Sequence, residues 1–219
     1  MTCMSVVTID CFGNSLVKER GVVRRVLLVL LLLWVQGVAA VESPRLMLER
    51  VAGQMLAALS AREAELRADP HRLHLLVEEL LVPHVALELV ARRVLGKEWR
   101  RASREQRERF AREFKEMLIR FYSSALLEYA GFRFRFHPVR LKEGQRRAVV
   151  RSEVMRGGGP PHSVNYSVVL RNGEWQVYDV TIDGVSVVVT YRSSFAEEIR
   201  HGGLDALLER MARWNRERR

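Results

Sequence analysis

Cysteine is nearly missing from this chain. Its two cysteines, Cys3 and Cys11, stand at the extreme N-terminal end. The rest of the chain has no disulfide framework, no thiol nucleophile and no thiolate metal site, and must hold together by core packing. Histidine is also sparse: His71, His74, His84, His137, His162 and His201. Only His71 and His74 are spaced to share a helix face, and no third ligand accompanies them, so no metal site is expected. Nucleotide and nucleophile motifs are missing too. No Gly-x-Ser-x-Gly elbow, Walker sequence or dinucleotide fingerprint occurs. Gly157-Gly158-Gly159 runs into Pro160-Pro161 rather than into a helix, so it does not read as a phosphate cradle. There is no internal repeat and no long low-complexity tract.

What is present begins with an address. Arg20, Arg24 and Arg25 precede an uninterrupted apolar run over residues 26–35, and Val38-Ala39-Ala40 supplies small residues after it. That order reads as a cleavable secretory signal peptide over residues 1–40, leaving 41–219 as a single domain. The run is well short of the roughly 20 apolar residues of a spanning helix, and no cysteine follows it to carry a lipid. Residues 1–16 make the leader unusually long, as an upstream start codon would. The net charge is +10. Loss of Lys18, Arg20, Arg24 and Arg25 with Asp10 and Glu19 leaves about +8. Export sets nucleic acid aside as a partner and favours anionic lipid headgroups or membrane surfaces. Many of these charges serve only to solvate helix faces.

The mature chain opens with helices. Ser43-Pro44 predicts a start, and Leu48, Val51, Met55 and Leu59 carry the helix to about Leu66. Asp69-Pro70 opens a second, with Leu73, Leu76, Val77, Leu80 and Leu81, until Pro83 interrupts it. A further segment from His84 to Leu95 ends at Gly96. Ser103-x-x-Gln106 is a capping box before the clearest helix. Its stripe of Phe110, Phe114, Met117, Phe121 and Ala125 is either ordinary core or the wall of a ligand cavity. Arg104–Glu108, Glu105–Arg109, Arg109–Glu113, Arg112–Glu116 and Glu116–Arg120 are i,i+4 pairs on the other side.

Gly131 closes the helical half. Phe132, Phe134 and Phe136 alternate with Arg133, Arg135 and His137 as a half-buried strand. Residues 147–155 and 163–171 follow as strands two and three. Asn172-Gly173 is a hairpin turn. In the fourth strand Trp175, Val177, Asp179 and Thr181 alternate with Gln176, Tyr178, Val180 and Ile182. After Asp183-Gly184 the valines suit a strand, but Val188, Tyr191, Phe195 and Ile199 keep helical spacing. The period favours a helix capped by Ser186, with a second over 204–214 after Gly202-Gly203. The sum is α+β: N-terminal helices and a C-terminal helix pair packed on a four-stranded antiparallel sheet.

Several of these blocks resemble a known family. Trp175-x-Val177-Tyr178-Asp179-Val180, Gly184-Val185-Ser186 and Tyr191-Arg192-Ser193-Ser194-Phe195 are similar to the MlaC or toluene-tolerance (Ttg2-type) family of periplasmic phospholipid-binding proteins. So are Val94-Leu95-Gly96-x-x-Trp99-Arg100 with Ser103-x-x-Gln106-x-x-x-Phe110, and Gly203-Leu204-Asp205-x-Leu207-Leu208. The likeness runs in order along the chain after residue 43. It implies an NTF2-like cone, a curved sheet with helices around a deep apolar pocket. It implies a periplasmic shuttle that moves phospholipid between outer and inner membranes and maintains outer-membrane lipid asymmetry. Such a protein is not an enzyme and has no cofactor beyond its phospholipid cargo. Its implied partners are an inner-membrane ABC transporter with an MCE-type lipid-binding subunit and an outer-membrane lipoprotein complex, with the shuttle itself a monomer.

Periodicity and the family's architecture together nominate Leu80, Val85, Leu89, Val94, Phe114, Leu118, Tyr122, Val150, Val168, Tyr178 and Val180 as pocket lining. Arg92, Arg93, Lys97 and Arg100 are the basic residues proposed for its mouth. The family often has an acidic residue where Ala86 stands, so no role is carried onto that position. One alternative is a small isomerase-type enzyme on a similar cone, with Asp179 as base. Asp179 also suits a structural hydrogen-bonding role beside Tyr178. Another alternative is an adaptor that binds membranes through its basic face without extracting lipid.

Overall fold

The computed structural model describes residues 41–128, 131–155 and 159–217; the expected leader over 1–40 lies outside them. Helix α1 (Pro44–Ala61) starts as the sequence predicts. Ser43 Oγ accepts a hydrogen bond from Leu46 N, and Pro44 occupies the first turn, where no intrahelical N–H is needed. The predicted run to Leu66 is interrupted. Arg62, at φ −124°, leaves the helical region, and α2 (Glu63–Ala68) resumes after it. Apolar spacing continues across this joint, so periodicity alone does not reveal it. Asp69 caps α3 (Pro70–Leu80), its carboxylate accepting from His71 N and Arg72 N. Pro83 sits in a short 3-10 turn, Val82–His84. Then α4 (Leu87–Leu95) stops at Gly96, whose φ of +57° favours glycine.

After the single turn of α5 (Glu98–Arg101) comes the long α6 (Arg104–Glu128). Its capping box is complete. Ser103 Oγ accepts from Gln106 N at 3.1 Å, and Gln106 Oε1 accepts from Ser103 N at 2.9 Å. Among the expected i,i+4 pairs, Arg104–Glu108 and Glu116–Arg120 form. Arg109 instead reaches Glu209, 2.7 Å away on the C-terminal helix that packs alongside.

Strands β1 (Arg133–Phe136), β2 (Arg147–Met155), β3 (His162–Arg171), β4 (Glu174–Ile182) and β5 (Val185–Ser186) pair antiparallel in chain order. The sequence predicts four strands. The fifth is a two-residue arm folded back through Asp183-Gly184, too short for alternation to register. Asn172 and Gly173, both at positive φ, make the tight β3–β4 turn. One irregularity matters. The β3–β4 register shifts so that Ser167 faces Asp179 while Val168 faces Val177. Tyr178 is the extra residue of a bulge. Val177 can then pack beneath α1 while its neighbour Tyr178 packs against helices. The expected C-terminal helix pair is α7 (Val187–Glu217), broken at Gly203 by φ +79°, ψ 170°.

Among the described residues the interior divides into three apolar clusters. Val90, Val94, Phe110, Phe114, Phe195 and Leu208 join α4, α6 and α7. Met55, Leu59, Leu66 and Leu73 pack α1–α3 on Ile119 and Leu127 of α6. Met47, Leu48 and Val51 of α1 cover Phe136, Val150, Val168 and Trp175 of the sheet. Leu81 touches the second and third clusters.

Candidate functional site

The nominated lining residues fall into two groups. Val94, Phe114, Val150 and Val168 are buried inside the clusters. Leu80, Val85, Leu118 and Tyr178 are half-buried at cluster margins. Val180 is half-buried opposite Tyr166 and belongs to none of the three clusters. Leu89 borders a basic cleft instead. Tyr122 stands on an apolar cleft of about 500 Å³, with Phe121 of α6, Ile182, Val185, and Val187, Thr190, Tyr191, Ser194, Phe195 and Glu198 of α7. Phe121 and Val185 are 55% and 61% exposed there. Burial, with the neighbouring Tyr122 phenol adding to it, pushes the Tyr191 phenol above its ordinary pKa. Apolar surface left open beside a packed core is what a hydrocarbon ligand requires.

The nominated basic residues do converge. Arg92, Arg93 and Arg100 line a cleft of about 560 Å³ with Gly96, Trp99, Arg107 and Arg192; Lys97 is not on its wall. Arg93 lies over the Tyr178 ring at 4.4 Å, which ties this cleft to the β4 bulge. Arg107 and Arg192 escape a sequence reading because they come from α6 and α7. A signal did exist: Arg93, Arg100, Arg107 and Arg192 have no acidic residue three or four positions away.

Asp179 has a structural task. Its carboxylate accepts from Ser186 Oγ at 2.7 Å and from Val188 N at 3.1 Å, while Ser186 Oγ accepts from Val189 N. Together they cap α7 at the hairpin where β5 meets β4. Asp179→Ala is expected to lower stability by about 1–2 kcal/mol, the cost of a lost cap, as read by urea denaturation. Asp179→Asn, which keeps an acceptor, should recover most of it.

His74, of the pair His71 and His74, faces Glu78 and Glu116, the three offering ligand atoms within 4.8 Å of one another. Lys115 already bridges the two carboxylates, so the cluster carries its own cation. Burial holds the His74 imidazole below its ordinary value of 6.5, and burial does the same to His84. The contact with Glu116 at 3.3 Å is therefore made by a neutral ring near neutral pH. A lowered histidine pKa means that the unfolded chain takes up the proton first. Stability is thus unaffected above about pH 6.5 and falls as pH drops below it. Urea midpoints should hold steady above about pH 6.5 and decline from there towards about pH 5.5, and His74→Gln with His84→Gln should flatten that slope.

Comparison with known proteins fits this architecture. A family model described as MlaC protein matches residues 49–213. The chain is 28% identical over 186 residues to the toluene tolerance protein ttg2D of Pseudomonas putida, covering 84% of this chain and 86% of that protein. It is 26% identical over 175 residues to the intermembrane phospholipid transport system binding protein MlaC of Haemophilus influenzae, covering 78% and 82%. Among solved structures it resembles the phospholipid-binding protein from Ralstonia solanacearum in complex with a phospholipid. That match has a TM-score of 0.74 and 25% identity over 81% of this chain and 99% of the other. With a family model spanning most of the described elements, from α1 into the second half of α7, the chain belongs to the MlaC family.

Proposed function

We propose that this protein is a periplasmic carrier of phospholipid, shuttling it between the outer and inner membranes in support of outer-membrane lipid asymmetry. A methylene group in water costs about 0.8 kcal/mol, so a lipid with two long acyl chains is held in its bilayer by on the order of 20 kcal/mol. A carrier must offer comparable apolar surface and leave the headgroup in water. It needs no bond chemistry. The observation that supports the reading most is the fold shared with the Ralstonia protein that holds a phospholipid. On this reading the acyl chains are received by Leu80, Val85, Leu89, Val94, Phe114, Leu118, Tyr122, Val150, Val168, Tyr178 and Val180, of which Leu80, Val85, Leu118, Tyr122, Tyr178 and Val180 keep some exposure. Arg92, Arg93 and Arg100 serve the phosphate end, while Lys97 lies off the wall of their cleft. The partners are an inner-membrane ABC transporter with an MCE-type subunit and an outer-membrane lipoprotein complex, which supply any energy input.

Lipid-stripped protein incubated with vesicles and separated by flotation tests this. The soluble fraction should carry phospholipid away. Vesicle binding with no extraction supports the membrane-adaptor reading instead, and neither binding nor extraction rejects both.

A further inference from the structure

Many arginines here pair with a carboxylate. Arg45, Arg50, Arg62, Arg67, Arg72, Arg101, Arg104, Arg109, Arg135 and Arg171 each lie within 4.0 Å of a carboxylate. The cleft at the end of α4 differs. Arg92, Arg93, Arg100, Arg107 and Arg192 converge on it, and among the described residues none has a carboxylate partner. Glu88, one helical turn before Arg92, pairs with Arg171 instead, at 3.7 Å. Residues 92 and 93 complement the negative end of α4. That accounts for two of the five and leaves three. Like charges gathered without counterions raise the free energy of the folded state unless an anion offsets them.

Three of the side chains are also held in place. Arg107 Nε donates to the Trp99 carbonyl at 2.8 Å, and its guanidinium lies 5.3 Å from the Trp99 ring centre. Arg93 is seated over Tyr178. Arg192 rests against Gly96, and a Cβ there would stand 3.0 Å from its Nε. Glycine at 96 thus does more than end a helix; it admits the guanidinium. Pre-positioned, unpaired guanidiniums around a concavity suit a tetrahedral oxyanion, because their planar forks match two oxygens at once.

We infer that this cleft is a phosphate-binding site to which Arg107 and Arg192 contribute as donors alongside Arg92, Arg93 and Arg100. Its ligand is a phosphate group, either a lipid headgroup or free phosphate. The headgroup form of this inference rests on the carrier reading; the free-phosphate form does not.

The test compares wild type with Arg107→Gln/Arg192→Gln and with Arg45→Gln/Arg62→Gln, which removes the same charge from carboxylate-paired positions. Lipid-stripped samples are titrated calorimetrically with inorganic phosphate. They are then offered vesicles doped equally with phosphatidic acid and diacylglycerol. The cleft variant should bind phosphate about tenfold more weakly, or lose about tenfold of its preference for phosphatidic acid, with the charge-matched variant near wild type. Loss in the first arm alone identifies free phosphate as the ligand, and loss in the second identifies the headgroup. Equal behaviour of all three proteins in both arms overturns the site, as does an equal loss in the charge-matched variant. A wild type that takes up neither lipid rejects the carrier reading, and the phosphate titration still judges the cleft.

Discussion

Val180→Trp is expected to empty the protein of phospholipid while leaving it folded. Val180 stands opposite Tyr166 on the sheet face that α1 covers further along, yet it joins none of the packed clusters. Under the carrier reading proposed above, an indole there would take up space that cargo otherwise fills. Displacing about four methylenes forfeits roughly 3 kcal/mol, near a 100-fold loss of lipid affinity. Val149→Trp is the control. Val149 faces Ser167 on the opposite side of the sheet and is 52% exposed. Lipid uptake from vesicles should collapse in the first variant and persist in the second, with similar thermal unfolding in both. Retained uptake in Val180→Trp places the cargo elsewhere in the molecule.

Phe110→Ala carries the largest expected cost in stability. The ring is fully buried, stacked on Phe114 at 5.5 Å and edge-on to Phe195 at 5.9 Å. It sits where α4, α6 and α7 meet, so truncation opens a cavity that three helices border. The loss should be about 3–5 kcal/mol by urea denaturation, a large share of the roughly 5–15 kcal/mol that holds a typical domain. Phe121→Ala, on the same helix stripe but 55% exposed, should cost far less. A comparable loss in the two variants contradicts the division of that stripe into core and cleft.

That division shows what the sequence could carry. Periodicity placed Phe110, Phe114 and Phe121 on one helix face, and all three are there. It could not say that the face leaves the core two turns after Phe114, because that depends on where α7 and β5 pass. Elements announced by local chemistry were legible: the Ser103–Gln106 box, the Pro44 and Pro70 starts, the Asn172-Gly173 turn and the Gly203 break. Features set by distant neighbours were not. The Arg62 joint, the bulge at Tyr178 and the two-residue β5 leave no periodic trace. The same holds for the basic cleft. Arg92, Arg93 and Arg100 were found because they lie on one short stretch, while Arg107 and Arg192 arrive through tertiary packing. Asp179 shows the converse. The sequence offered it as a base in the alternative reading and as a structural hydrogen bonder beside Tyr178; it does bond structurally, but to Ser186 and Val188 N, which the hairpin after it brings within reach.

Native mass spectrometry of the gently purified protein is the most direct check on whether its interior receives acyl chains. The expected spectrum contains a species heavier than the bare polypeptide by the mass of a phospholipid, which Val180→Trp abolishes. Repeated preparations of the unaltered protein that appear only at the polypeptide mass, and stay so after exposure to vesicles, contradict the account.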